Sequence, residues 1–118
     1  MVSECIFCKI ARVSNREIIY ENNNFLSVLD ISPAIKGHSL IISKKHFKTI
    51  LDMPSTLGAE LLDCIKKTSL KLMESEKAEG FNIANNSFDC AGQIVDHFHL
   101  HILPRKKNDG MSLNLRKK

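Results

Sequence analysis

From His97 to Pro104 the chain alternates histidine with apolar residues, His97-Phe98-His99-Leu100-His101-Ile102, and three of its five histidines fall at every second position. No other feature limits the fold as much. Strict alternation is the period of a β-strand, so Phe98, Leu100 and Ile102 take one face and the three imidazoles the other. A helix would scatter these residues around a cylinder and leave the apolar ones without a common buried side. Pro104 has no N–H to continue a ladder, so the strand is expected to stop there, over 95–103. A solvated edge strand is the plainer reading, but three consecutive imidazoles fit a solvated face poorly.

A row of imidazoles can bind metal, move protons or attack an electrophile. Along a strand, neighbouring members stand roughly 6.8 Å apart and the outer two roughly 13 Å. One metal ion needs every nitrogen within ~2.1 Å, so it cannot hold all three. At least two of them must do different work.

The remaining elements follow from local pattern. Residues 16–21 and 25–30 read as strands around the turn Asn22-Asn23-Asn24, and residues 38–43 as a third strand after a loop closed by Gly37. Residues 5–11 read as a compact turn or short helix, and residues 47–53 are ambiguous. From Ser55 or Thr56, as N-cap, to about Lys77, the positions Leu57, Leu61, Ile65, Ser69 and Leu72 recur at helical steps, with Gly80 as the expected stop. Residues 81–84 and 95–103 complete five strands. With only one long helix available as a crossover, the expected fold is α+β: a five-stranded antiparallel sheet covered by one long and one short helix.

The 118 residues are expected to form a single domain with its core over about 5–105 and a basic tail over 106–118. Hydrophobic residues at 43% and charged ones at 25% are ordinary for a globular chain. The net charge of +4 is spread over pairs and triplets such as Lys44-Lys45 and Arg105-Lys106-Lys107. With no tryptophan and no aromatic-interleaved basic run, this argues against a nucleic-acid surface. No segment has transmembrane length and the amino terminus lacks a signal-peptide pattern, so a cytoplasmic protein with reduced cysteines is expected. Cys64 falls on the apolar stripe of the helix, and Cys90 in a loop before the histidines.

Cys5-x-x-Cys8 is half of a tetrahedral zinc site, and two sulfurs need two further ligands unless the thiols are simply buried. A Cys2His2 finger does not fit, because no histidine pair follows shortly downstream. One histidine from the strand and one from elsewhere, with His46 available after the third strand, would satisfy the geometry.

Taken in order, Cys5-Ile6-Phe7-Cys8-Lys9-Ile10, Leu29-Asp30-Ile31-Ser32-Pro33, Lys36-Gly37-His38-Ser39-Leu40-Ile41-Ile42 with Lys44-Lys45-His46, and Ala91-Gly92-Gln93 leading into His97-x-His99-x-His101 resemble the histidine-triad (HIT) family. The flanks look like its Hint-like branch in the zinc-bearing, bacterial-type form. The resemblance implies a nucleotide hydrolase or transferase acting at the α-phosphate of purine nucleoside phosphoramidates or related conjugates, and releasing the nucleoside monophosphate. It implies His99 as the nucleophile, with a nucleotidyl-histidine intermediate. It places His101 and His38 around the phosphate, Gln93 and Asn86 as amide donors there, Asp30 at the ribose hydroxyls and Ile31 beside the base. It makes Cys5, Cys8, His46 and His97 the ligands of a structural zinc, and the protein a homodimer. A dinucleoside polyphosphate hydrolase, or a nucleotide-binding interaction module with incidental activity, would use the same residues. The chain departs from the family pattern at Ile94, where a hydroxyl or acidic residue is frequent, at Phe88, where glycine is common, and at Ser43, in place of a frequent proline.

Overall fold

Alternation along five short strands and one 3.6-residue period build the molecule. The structure, a computed structural model, describes residues 5–12, 17–113 and 115. Strands β1 (Ile18–Glu21), β2 (Phe25–Leu29), β3 (Ser39–Ser43), β4 (Gly80–Ala84) and β5 (His99–Arg105) form one antiparallel sheet in the order β1-β2-β3-β5-β4. The expected start of the first strand at residue 16 lies outside the described residues, as does part of the tail.

The sheet is buried on both faces by the alternation of its strands. Phe25, Ile41, Phe98, Leu100 and Ile102 pack with Cys64 and Leu72 of α2 (Gly58–Ser75). Leu26, Val28, Leu40 and Ile42 pack on the other face with Phe7 and Ile10 of α1 (Ile6–Arg12). Because Leu40 opposes His101 and Ile42 opposes His99, both imidazoles rise from the α1 face of the interior strand β5. The ladder thus fixes where the chemistry sits.

Four details depart from the sequence reading. Strand β5 runs from His99 to Arg105, so His97 lies before the strand and the imidazole wall consists of two ladder residues and one outside it. Pro104 lies within β5, opposite Phe81 of β4. It is tolerated because the β3 ladder ends at Ser39–Ile102, leaving one side of the strand with no neighbouring carbonyl that needs the missing N–H. The α-helix starts at Gly58 after a 3-10 turn over Ser55–Leu57, and neither Ser55 nor Thr56 caps it with a side chain. Its end is set by Lys77 at φ 52°, with Ala78 N–H donating to Met73 O at 3.0 Å and Lys77 N–H to Glu74 O at 3.3 Å. That closure needs one left-handed residue, and Gly80 instead opens β4. The ambiguous segment holds a 3-10 turn, Ile50–Asp52, closed by a Thr49–Asp52 capping box.

Gly37, at φ +87°, is required by packing as well as by conformation. A Cβ there would stand 2.9 Å from Pro104 Cγ and 2.7 Å from Glu76 Cγ. It ends the loop that carries Asp30 and delivers His38 to the sheet.

Candidate functional site

Three imidazoles meet on the α1 face, and main-chain groups decide which nitrogen of each carries the proton. A backbone carbonyl only accepts and a backbone N–H only donates. His99 Nδ1 lies 2.8 Å from His97 O, so Nδ1 holds the hydrogen and Nε2 keeps a free lone pair. Ala34 N–H donates to His38 Nδ1 at 3.0 Å, which puts the His38 hydrogen on Nε2. That Nε2 lies 2.9 Å from His101 Nδ1 and 3.5 Å from Asp30 Oδ2. His101 therefore accepts on Nδ1 and presents Nε2–H as a donor. The His99 and His101 rings are 5.2 Å apart, and Phe7 packs edge-on to His99 at 4.8 Å. A bare nitrogen and an N–H donor thus stand side by side on one strand.

Burial disfavours the charged form of His101 and His38. It lowers the His101 pKa to about 4, and the neighbouring His99 and His38 add to the shift. His38 is lowered from its ordinary value by burial, against the opposing pull of Asp30. Asp30 Oδ1 accepts from Ser32 N–H at 2.8 Å, leaving acceptor capacity for a hydroxyl, and Ile31 beside it is exposed. Asp30, His38 and His101 also converge closely enough to suggest a metal group. A cation on His38 Nε2 would move the proton to Nδ1, against the Ala34 N–H, so this trio is built for hydrogen bonding.

A second cluster joins the amino-terminal helix to the histidine segment. Cys5 Sγ and Cys8 Sγ each lie 3.4 Å from His97 Nδ1, Cys8 Sγ lies 3.1 Å from His46 Nδ1, and the two Nδ1 atoms are 3.2 Å apart. Ligands at zinc bond lengths sit at tetrahedron edges of about 3.3–3.8 Å, close to these separations. His97 Nε2 lies 2.7 Å from Ser43 O, so its Nδ1 is a bare lone pair aimed at the sulfurs. Burial and Cys5 raise the Cys8 thiol pKa when no cation is present. Converging lone pairs and thiols fit a thiophilic divalent ion.

The loop after β4 is anchored to the same strand. Asn85 Nδ2 donates to His99 O at 2.9 Å. Gln93, buried, donates through Nε2 to Lys48 O at 2.6 Å and Val95 O at 3.1 Å, and its Oε1 accepts from Phe88 N–H at 2.7 Å. Both its amide hydrogens are committed, so here Gln93 clamps the loop and offers no free donor to a phosphate. Asn86 Nδ2 makes only a 3.5 Å contact with Gly92 O. Phe88 sits at φ 73°, ψ 160°, a region that essentially only glycine occupies. Such a conformation costs about 1–3 kcal/mol in a non-glycine residue. The Lys48 ammonium, 5.4 Å from its ring centroid, offsets only about 0.5–1 kcal/mol of that at an exposed site.

Of the residues named from sequence, His38, His99, His101 and Asp30 lie in one cluster and Cys5, Cys8, His46 and His97 in the other, while Gln93 and Asn86 lie on the loop after β4, tied to Lys48, Val95 and Gly92. Sequence reasoning missed Phe7, Ser43 and Asn85 as supports. Phe7 carried a signal, being one of two apolar residues between the cysteines, Cys5 just before the short helix and Cys8 within it. Ser43 and Asn85 act through contacts to distant positions that no local pattern marks.

The model of the HIT domain matches residues 11–108. The adenylylsulfatase HINT3 of Arabidopsis thaliana is 35% identical over 108 residues, covering 91% of this chain and 55% of that relative. The crystal structure of a HIT family member from Bacillus subtilis superposes with a TM-score of 0.88 at 33% identity, covering 98% of this chain and 84% of the other. A zinc-bound histidine triad family protein from Mycobacterium smegmatis gives 0.84 at 35% identity, covering 97% and 84%.

Proposed function

The chain belongs to the HIT-domain family, and from that premise we propose that it is a nucleotide hydrolase or transferase that cleaves purine nucleoside phosphoramidates at the α-phosphate. The observation that carries this reading is the tautomer pattern, a lone pair on His99 Nε2 beside an N–H on His101 Nε2. In the first step His99 Nε2 attacks phosphorus, the N–P bond to the enzyme forms and the bond to the leaving nitrogen breaks. That nitrogen takes up a proton from solvent and departs as the amine. Water then attacks the nucleotidyl-histidine, releasing the monophosphate and restoring His99. His97 O holds the Nδ1–H on which positive charge develops. The Ala34, His38, His101 relay directs its terminal N–H at the phosphoryl oxygens, where negative charge grows. Asp30 accepts from the ribose and Ile31 flanks the base.

Cys5, Cys8, His46 and His97 would hold a structural zinc. When bound, it supplies rigidity and no chemistry. The residues themselves tie α1 and the β3 end to the segment two positions ahead of the nucleophile, and this sets the strand on which His99 sits. We also assign a homodimer joined at β4. Its outer edge has no partner strand among the described residues, and its Phe81 and Ile83 are exposed.

The Arabidopsis relative acts on an adenylyl sulfate, which favours a second reading with sulfate as the leaving group. Comparing kcat/KM for an adenosine phosphoramidate, adenylyl sulfate and a dinucleoside polyphosphate decides among them. The phosphoramidate is expected to be turned over fastest. Preference for either of the others would replace the substrate class, and binding of AMP with no turnover of any would replace the enzyme by a binding module.

A further inference from the structure

Phe88 keeps a strained backbone and an exposed ring together. Its φ 73°, ψ 160° would suit glycine, yet the chain places there an aromatic side chain that remains 46% exposed. The Lys48 contact on its ring offsets only part of that strain, as set out above. A strained, half-exposed aromatic on the loop that Asn85 ties to the His99 carbonyl points to a ligand. The position is rigid. Gln93 Oε1 holds the Phe88 N–H, the Phe88 carbonyl accepts from Ala91 N–H and Gln93 N–H at 3.1 Å each, and Asn85 ties the start of the loop to the His99 carbonyl. Ile94, next to the clamp residue Gln93, is 93% exposed.

We propose that Phe88 is a specificity-determining residue whose ring, extended by Ile94 and edged by the Lys48 ammonium, forms a platform for the leaving group and selects amines that carry a flat apolar ring. This rests on the phosphoramidase reading and deepens it. The nucleotide end is covered by Asp30 and Ile31 on the loop after β2, whereas Phe88 and Ile94 lie on the loop after β4. The two loops approach the β5 imidazoles from strands on opposite sides of it in the sheet order. A substrate with its phosphorus at His99 and its nucleoside toward Asp30 therefore directs its leaving group to the Phe88 side. Stacking on a preset ring raises the capture of a flat group without touching the reacting atoms.

The test compares adenosine phosphoramidates of phenethylamine and of propylamine, amines of similar basicity, on wild type, Phe88→Gly and Phe88→Tyr. Wild type is expected to favour the phenethylamine conjugate by about tenfold in kcat/KM, mostly through KM. Phe88→Gly should erase that ratio while melting no lower than wild type, because glycine adopts the backbone freely, and Phe88→Tyr should retain it. A ratio equal in wild type and Phe88→Gly, with both conjugates turned over, overturns this proposal alone. Failure of wild type to turn over either conjugate overturns the phosphoramidase reading and this one with it.

Discussion

Among single residues, the chemistry of the site turns on where protons sit. His101 is pushed down to about 4 from an ordinary 6.5 by burial and by the adjoining His99 and His38, with Asp30 opposing. Between those values the unfolded chain binds a proton that the folded chain refuses. Stability from this group is therefore complete above about pH 6.5 and is lost as pH falls toward 4. Thermal melts from pH 7 to pH 4 should show a decline that is shallower in His101→Gln than in wild type. Equal slopes would show that His101 titrates normally. The placement of His99 and His101 on one face of a strand was legible because alternation is a local signal. The support of His97 by Ser43 spans 54 positions, and the clamp of Gln93 on Lys48 spans 45. Neither could be read from spacing, so no local pattern signalled that Gln93 also holds the loop after β4.

At the scale of elements, the sequence pattern located every strand and both helices but misplaced their ends. Helix α2 stops at a lysine in a glycine-like conformation, and β5 continues through a proline because the neighbouring ladder has ended. Boundaries of this kind depend on what lies alongside and not on the residue itself. Helix α1 makes the point energetically. At seven residues it is too short to persist alone. Phe7 and Ile10 bury against the sheet, and the cysteines at its start converge with His46 and His97. Purified protein is expected to carry about one zinc per chain. Stripping it with a strong chelator should lower Tm by several degrees, as should Cys8→Ser. Metal-free protein that melts unchanged would reduce the cluster to buried thiols and imidazoles.

At the scale of the whole molecule, the sheet separates structure from chemistry. One face is filled by α2 and its apolar stripe, while the other carries α1, the reactive imidazoles and the thiol cluster. β5 lies inside the sheet, hydrogen-bonded to β3 on one side and β4 on the other. Among the described residues no helix is long and apolar enough to cross a membrane. The open β4 edge bears on assembly: light scattering at micromolar concentration is expected to give the mass of two chains, and Phe81→Lys to give one. A wild-type monomer would remove the dimer from the account.

A covalent nucleotidyl-His99 can be trapped and weighed by intact-protein mass spectrometry. Wild type and His99→Ala are mixed briefly with an adenosine phosphoramidate and quenched without acid, so that a phosphorus–nitrogen bond survives. The account predicts an AMP-sized adduct on wild type, none on His99→Ala, and a loss of turnover in the variant of at least ~10³-fold. An adduct that persists in His99→Ala, or turnover that survives in it, would contradict the assignment of His99 as nucleophile.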